Sequence, residues 1–397
     1  MTGAAVRRVG AEQRRARLAL RHHLAAEARA GSVDEVARDL VAVHSTDAAS
    51  VYLGAWARMS EVAVGTVEKV LYEERSLVRM LGMRRTVFVV PAELAPVVQA
   101  ACTRTIAVAE RKKLVQFLAE SGIAEDASEW LRGAEEATLR ALADRGEALA
   151  VELSADVPQL REQILVGAGT RWEGRVNAST RVLFLLAADG QIVRGRPRGS
   201  WISTQYRWAP AGSWLPGGLP ELPTEVARVD LVRRWLRAYG PGTAADLKWW
   251  TGWTGAEVTR ALREVGPVEV DLDDGRTGLV LADDVAPVPA AEPWVALLPA
   301  LDSTAMGWTG RGWFLGEHGP ALFDRSGNAG PTVWWDGRVV GGWAQRKDGE
   351  VAYRLLEDVG TDAAAAVQAA AARLGAWLGD TRVTPRFRTP LERELSA

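Results

Sequence analysis

The stretch LVAVHSTDAASVYLGAWARM, residues 40–59, is apolar apart from a polar cluster in its middle, His44, Ser45, Thr46 and Asp47. These are the parts needed to place and deprotonate a water. A neutral imidazole, with a pKa of about 6.5, is a competent general base. A threonine hydroxyl both donates and accepts a hydrogen bond. A carboxylate beside them can orient the imidazole or stabilise positive charge. If the chain is extended here, residues 44 and 46 point to the same side. A structural reading stands beside this one: His44 can serve backbone groups, and Asp47 can cap the helix that follows. Of the other histidines, His22 and His23 fall in a charged helix and read as surface, and neither they nor His318 have the spacing of a metal site.

A second chemistry is carried by arginine. The formal net charge is −2, yet Arg75–Ala92 contains four arginines and no acid. Gly190–Pro220 contains Arg194, Arg196, Arg198 and Arg207 and no acid, and Thr381–Leu391 contains Arg382, Arg386 and Arg388 and no acid. Separate basic stretches on an otherwise acidic chain fit contact with phosphate along one face. The expected phosphate contacts are Arg84 and Arg85, then Arg194, Arg196, Arg198 and Arg207, then Arg386 and Arg388. The turn DRSGNAGPT adds Arg325 and Asn328, and its glycines permit close backbone approach. Trp201, Trp208 and Trp214 lie in or beyond the second basic stretch, where an indole could stack on a base adduct. The single cysteine, Cys102, excludes an internal disulfide framework and a cysteine-based zinc site.

The elements around these residues repeat a theme. Residues 11–30 read as a helix, Ser32 caps a second, Thr66–Leu71 is helical, and SLVRMLGMRRTVFVVP is a hairpin turning at Arg84–Arg85. Helix, helix, helix, hairpin is the order of a winged helix. It recurs with Glu135–Arg145, VPQLREQILVG and NASTRVLFLLAADG as helices and QIVRGRPRGSWISTQYRWAP as a basic wing. A third copy runs from Val226–Tyr239 through TAADLKWWTG and TGAEVTRALREV to an acidic wing that turns at Asp273–Gly275. From about Trp294 the text becomes short strands, with GWFL and ALFD among them and a hairpin signal at Asp336–Gly337, followed by an Ala-rich helix, Thr361–Leu378. The expected division is 1–115, 116–215, 216–290 and 291–397. The fold class is α+β: three tandem winged-helix domains and a C-terminal β-barrel.

This organisation resembles the AlkZ/YcaQ-type bacterial DNA glycosylases, the AlkZ-like, winged-helix DNA-binding domain-containing family. The segments that carry the resemblance are LVAVHSTDAASVYLGAWAR, LVRMLGMRRTVFVVP and LLPALDSTAMGW…ALFDRSGNAGPTVWWDGRVVGGW. It implies a concave, positively charged channel for duplex DNA and excision of N-alkylated or bulky purines, including adducts and crosslinks left by DNA-alkylating natural products. It implies no metal and no organic cofactor. The family signature, Gln-x-Gln or Gln-x-Asp, falls at His44 and Thr46, with Asp47 next; both glutamines are replaced here.

His-x-Thr suits that chemistry. An N7-alkylated purine is cationic and leaves without a general acid, so the protein's task is to place a water and take its proton. Protonated His44 would repel the adduct, so activity is expected to rise with pH through about 6–7. Five lysines, none near this segment, argue against a Schiff-base lyase. The expected protein is a monofunctional DNA glycosylase acting in base excision repair or in self-resistance to a genotoxin. It is expected to be a monomer, cytoplasmic and nucleoid-associated, with no secretory signal and no membrane span. The alternative is a non-catalytic winged-helix protein that binds DNA or sequesters the genotoxin. A transcription regulator is a weaker third, since no dimerisation element is apparent.

Overall fold

The computed structural model describes residues 7–171 and 173–397. The chain forms two compact units, Met1–Glu68 with Arg228–Ala397, and Lys69–Ala227. Both mix helices and antiparallel strands.

In the first unit the opening helix is shorter than expected. It spans Ala11–Arg21 and gives way to a 3-10 turn at Ala26–Ala28. Ser32 caps Val33–Asp39 by accepting from the Glu35 N–H. Farther on, Thr224–Tyr239, Ala244–Thr251 and Gly255–Val265 are helices. The last two begin with reciprocal capping boxes, Thr243 with Asp246 and Thr254 with Glu257, and end on left-handed Gly252 and Gly266. The acidic hairpin forms as Val268–Leu272 and Thr277–Val280. Arg7–Val9 joins it as a parallel strand, burying Val9 against Val270, Leu272 and Val280.

The expected barrel is absent. Val295–Leu298, Thr332–Trp335, Arg338–Gln345 and Val351–Leu355 make an open four-stranded antiparallel sheet in chain order. Four strands are too few to close around a filled interior, which takes about eight. The helix Thr361–Leu378 packs across the two outer strands instead, and Pro390–Leu395 packs on the long third strand. A side chain at Gly342 in that strand would come within 2.7 Å of Leu322 and 2.9 Å of Leu391. GWFL is not a strand but a single helical turn, Gly312–Leu315; ALFD begins in a second turn, Gly319–Leu322, where Pro320 suits a helix start, and leaves it at Phe323, which bridges to Ala329. The Asp336–Gly337 turn forms as expected, with positive φ at both residues.

The second unit holds the hairpin Leu77–Leu81 with Val87–Pro91. It also holds the basic wing, Ile192–Pro197 with Tyr206–Pro210. Its core joins the long helices Arg104–Glu120 and Ala127–Arg145 to Ala178–Ala188 through Leu114, Leu131, Leu142, Val182 and Leu186. The segment VPQLREQILVG is not a helix. Pro158–Arg161 forms a 3-10 turn, and Gln163–Val166 is a strand paired with Gly174–Asn177, since Ile164 finds its burial there.

Candidate active site

The polar cluster lies between a short strand, Val43–His44, and the helix Ala48–Trp56. The chain is not extended through 46: it bends at Thr46 and Asp47 to enter the helix. The expected side-by-side display of residues 44 and 46 is therefore replaced by a turn. The Thr46 N–H reaches back to His44 Nδ1 at 3.5 Å, a weak bond. With Nδ1 accepting, a neutral ring carries its proton on Nε2. His44 is buried and Thr46 half-buried. Asp47 is the helix cap of the structural reading. Its Oδ1 accepts from the Ala49 N–H at 3.2 Å and its Oδ2 from the Arg386 N–H at 3.1 Å. Burial pushes its carboxyl above the ordinary aspartate value, against the opposing pull of those two N–H groups and the Arg386 charge.

A loop of the C-terminal region holds this segment. The Ser303 hydroxyl donates to the Ala42 carbonyl at 2.8 Å and accepts from the His44 N–H at 3.3 Å. Ser50 donates to the Ala300 carbonyl at 2.6 Å. Both facing segments carry a non-glycine residue in the left-handed region, Val41 at φ 65° and Leu301 at φ 59°. For a β-branched valine that is a strained state, costing about 1–3 kcal/mol. A buried ion pair anchors the loop that carries Leu301. Arg58, 0% exposed, grips Asp302, 3% exposed, through two bonds of 2.7 and 2.9 Å. Arg58 also donates to the Thr304 hydroxyl at 2.8 Å, which in turn lies 2.8 Å from His22 Nδ1.

The direction of this chain is fixed by its end. His22 Nε2 faces the Ala238 carbonyl at 3.1 Å, which only accepts, so Nε2 carries the proton and Nδ1 accepts from Thr304. Burial, then the Arg58 charge, holds His22 well below the ordinary imidazole value, so it is neutral. The surface reading of His22 and His23 is thus overturned: His22 is 0% and His23 7% exposed. The Arg58–Asp302 pair and Ser303 had no sequence signal beyond single polar residues in apolar text.

Few of the expected phosphate contacts are free cations. Arg85 pairs with Glu110 at 2.8 Å, Arg196 with Glu73 at 3.1 Å, Arg207 with Glu152 at 3.6 Å and Arg388 with Glu392 at 2.6 Å. Arg84 and Arg194 are half-buried, and burial pushes each guanidinium down to about 10. Arg194 lies over the ring of its cross-strand neighbour Trp208. Asn328 donates to Asp324 at 2.8 Å and closes its own turn. Arg198, Arg325 and Arg386 are exposed and form no ion pair among the described residues. Trp201, Trp208 and Trp214 are buried, so no indole of the three is presented for stacking.

One group has the composition of a cation site. Donor atoms of His23, Glu35 and Asp39 lie within 4.8 Å of one another. His23 is already satisfied there, by Asp39 at 2.8 Å and the Ala28 carbonyl at 2.7 Å. Beside the polar cluster, a largely apolar cavity is lined by Asp47, Ser50, Leu53, Trp343, Gln345 and Pro385. Asp47 is its one ionisable group.

Comparison with known proteins gives this arrangement a context. A search of curated protein sequences returns no match. Among solved structures, the chain is similar to the DNA glycosylase AlkZ of Streptomyces sahachiroi, with a TM-score of 0.70, 21% sequence identity, and coverage of 96% of this chain and 99% of that one. That likeness shows a shared α+β fold. The model of the family described as "DNA glycosylase AlkZ-like" matches residues 37–377, a span that contains the polar cluster, the loop that holds it and both units' hairpins. The chain belongs to the AlkZ-like DNA glycosylase family.

Proposed function

We propose that this DNA glycosylase hydrolyses the N-glycosidic bond of N7- or N3-alkylated purines, bulky genotoxin adducts among them, in duplex DNA. The observation that carries the reading is the polar turn His44–Asp47, set in an otherwise apolar segment, with His44, Ser45 and Asp47 buried and with Ser303 and Arg386 pinning it; the sequence resemblance aligns this turn with the family's signature. In it, His44 activates the water and Thr46 holds it. Asp47 ties the turn to the basic tail, bringing the exposed Arg386 beside it to meet a phosphate. The weak bond from Thr46 to Nδ1 is easily given up, which frees that nitrogen to take the proton. The purine leaves as a neutral base once its bond breaks, and the water adds to the sugar. Four modules, 1–115, 116–215, 216–290 and 291–397, would line the DNA channel, with Arg198 and Arg325 as further exposed contacts.

The test is single-turnover base release from duplexes carrying N7-methylguanine or a bulky N7-guanine adduct. Release by the native protein, lost in His44→Ala with DNA affinity retained, is the expected result. His44→Gln separates two roles, because an amide donates as Nε2–H does but does not titrate. A base role predicts a native rate that rises with pH through about 6–7 and, with the family's signature glutamine in place, a rate in that variant that does not. A native rate that is flat across that range would make His44 a donor. A second reading has its own observation: the cap made by Asp47 and the bond to His44 Nδ1 account for both residues structurally. It predicts tight DNA binding and no release from either substrate.

A further inference from the structure

The helix Ala11–Arg21 turns Arg14, Arg17 and Arg21 toward the interior of its unit at i, i+3, i+7, one face of a helix. Two of the three have acceptors at both terminal nitrogens, although the Nε of Arg17 is buried without one among the described residues. Arg17 donates to the Asp284 carboxylate at 3.1 Å and to the carbonyls of Asp284 and Ala286. Arg21 donates to the other Asp284 oxygen at 2.6 Å and to the carbonyls of Arg237 and Gly240. Arg14 differs. It is 4% exposed, and its Nε and Nη2 are sealed from solvent with no acceptor among the described residues. Its guanidinium carbon lies 4.1 Å from the ring centre of Trp313, whose indole N–H is likewise buried without an acceptor.

Both side chains line one cavity, together with Arg17, Tyr239, Gly240 and Trp308. No carboxylate lines it among the described residues. Asp246 is the acid whose charge acts most on Arg14, but its Oδ1 is taken by the N–H groups of Thr309 and Gly310 and its Oδ2 by the N–H and hydroxyl of Thr243. Burial pushes the Arg14 guanidinium down to about 10, against the opposing pull of the Asp246 charge. A buried donor left unmade costs about 1–3 kcal/mol, more when charged, so a native protein keeps one only for a reason.

We propose that this cavity is an oxyanion site that takes a phosphate group. Nε–H and Nη2–H are the side-on fork of a guanidinium, matched to two oxygens of a tetrahedral anion. The Trp313 indole N–H, buried without an acceptor and on the same cavity lining, is the third donor. The phosphate is either free or part of a DNA backbone.

Two measurements on the native protein, Arg14→Met and Arg14→Lys distinguish these sources. The first is the midpoint of thermal unfolding against inorganic phosphate at constant ionic strength. A saturable rise in the native protein, abolished in Arg14→Met and at least tenfold weaker in concentration dependence in Arg14→Lys, identifies a free-phosphate site. The second is the salt dependence of binding to undamaged duplex DNA. No response to free phosphate, with a slope smaller by about 0.9 in Arg14→Met, identifies a backbone phosphate as the occupant. The lysine variant keeps the charge and loses the fork, so the outcome does not hang on the folding of the methionine variant. A phosphate response that persists undiminished in both variants overturns the proposal. So does the absence of any response together with an unchanged salt slope. Neither outcome depends on base release.

Discussion

At the scale of single residues, Asp47 carries two loads. It caps the helix Ala48–Trp56 and fastens the tail at Arg386, one carboxylate oxygen to each N–H. Asparagine has one carbonyl oxygen, so Asp47→Asn leaves one of these N–H groups facing an amide donor and is expected to cost about 1–3 kcal/mol at neutral pH. The pH dependence has a definite sign. Burial raises the folded-state carboxyl above its ordinary value. A group raised in this way favours folding fully below its unfolded value of about 3.9, and that contribution is lost as pH rises through the higher folded value. The stability of the native protein minus that of Asp47→Asn, from urea unfolding between about pH 3 and pH 6, should therefore grow as pH falls. A constant or shrinking difference would show that Asp47 does not titrate as its burial requires.

At the scale of elements, the segment carrying His44 keeps its shape because the Pro299–Thr304 loop is locked to the helix Ala48–Trp56 by Arg58 and Asp302. Breaking a buried pair strands a charge. Asp302→Ala should cost about 3–5 kcal/mol in urea unfolding, whereas the double change Arg58→Met, Asp302→Leu should cost clearly less, because no charge is left behind. Equal losses from both would mean that the pair's shape, not its charge, holds the loop. Base release should fall in Asp302→Ala even where the protein is still folded, since Val41 and Leu301 would be freed from their left-handed conformations and Ser303 from the His44 N–H.

At the scale of the whole molecule, a chain of net charge −2 has to bind a polyanion with a few placed cations. The exposed arginines without ion pairs are the ones whose counterions binding would release. Arg198→Ala and Arg386→Ala should each lower the slope of log Kobs against log salt by about 0.9 for undamaged duplex DNA. Arg85→Ala and Arg388→Ala should change it less, because Glu110 and Glu392 already neutralise those side chains. Slopes that fall equally in all four variants would mean that the acids let go when DNA arrives.

Local order determined much of this protein. The helix Thr361–Leu378, the capped helix after Thr254 and the Asp336–Gly337 hairpin could be read because caps, periodicity and turn residues act within a few positions of one another. The polar cluster at 44–47 could be read for a similar reason, since four polar side chains interrupt an apolar run. Tertiary structure decided the rest. Arg58 and Asp302 are 244 positions apart, and neither is marked by its neighbours. His22 looked like surface because its helix is rich in charge, but three of those charges, Arg14, Arg17 and Arg21, turn inward as well. The barrel reading failed because alternating strands and glycine turns fix hairpins but not closure; that depended on a helix covering the outer strands. Which cations are spent on an acid, and which buried guanidinium nitrogens have no acceptor among the described residues, is set by what distant segments bring within about 3 Å, a distance no sequence spacing encodes.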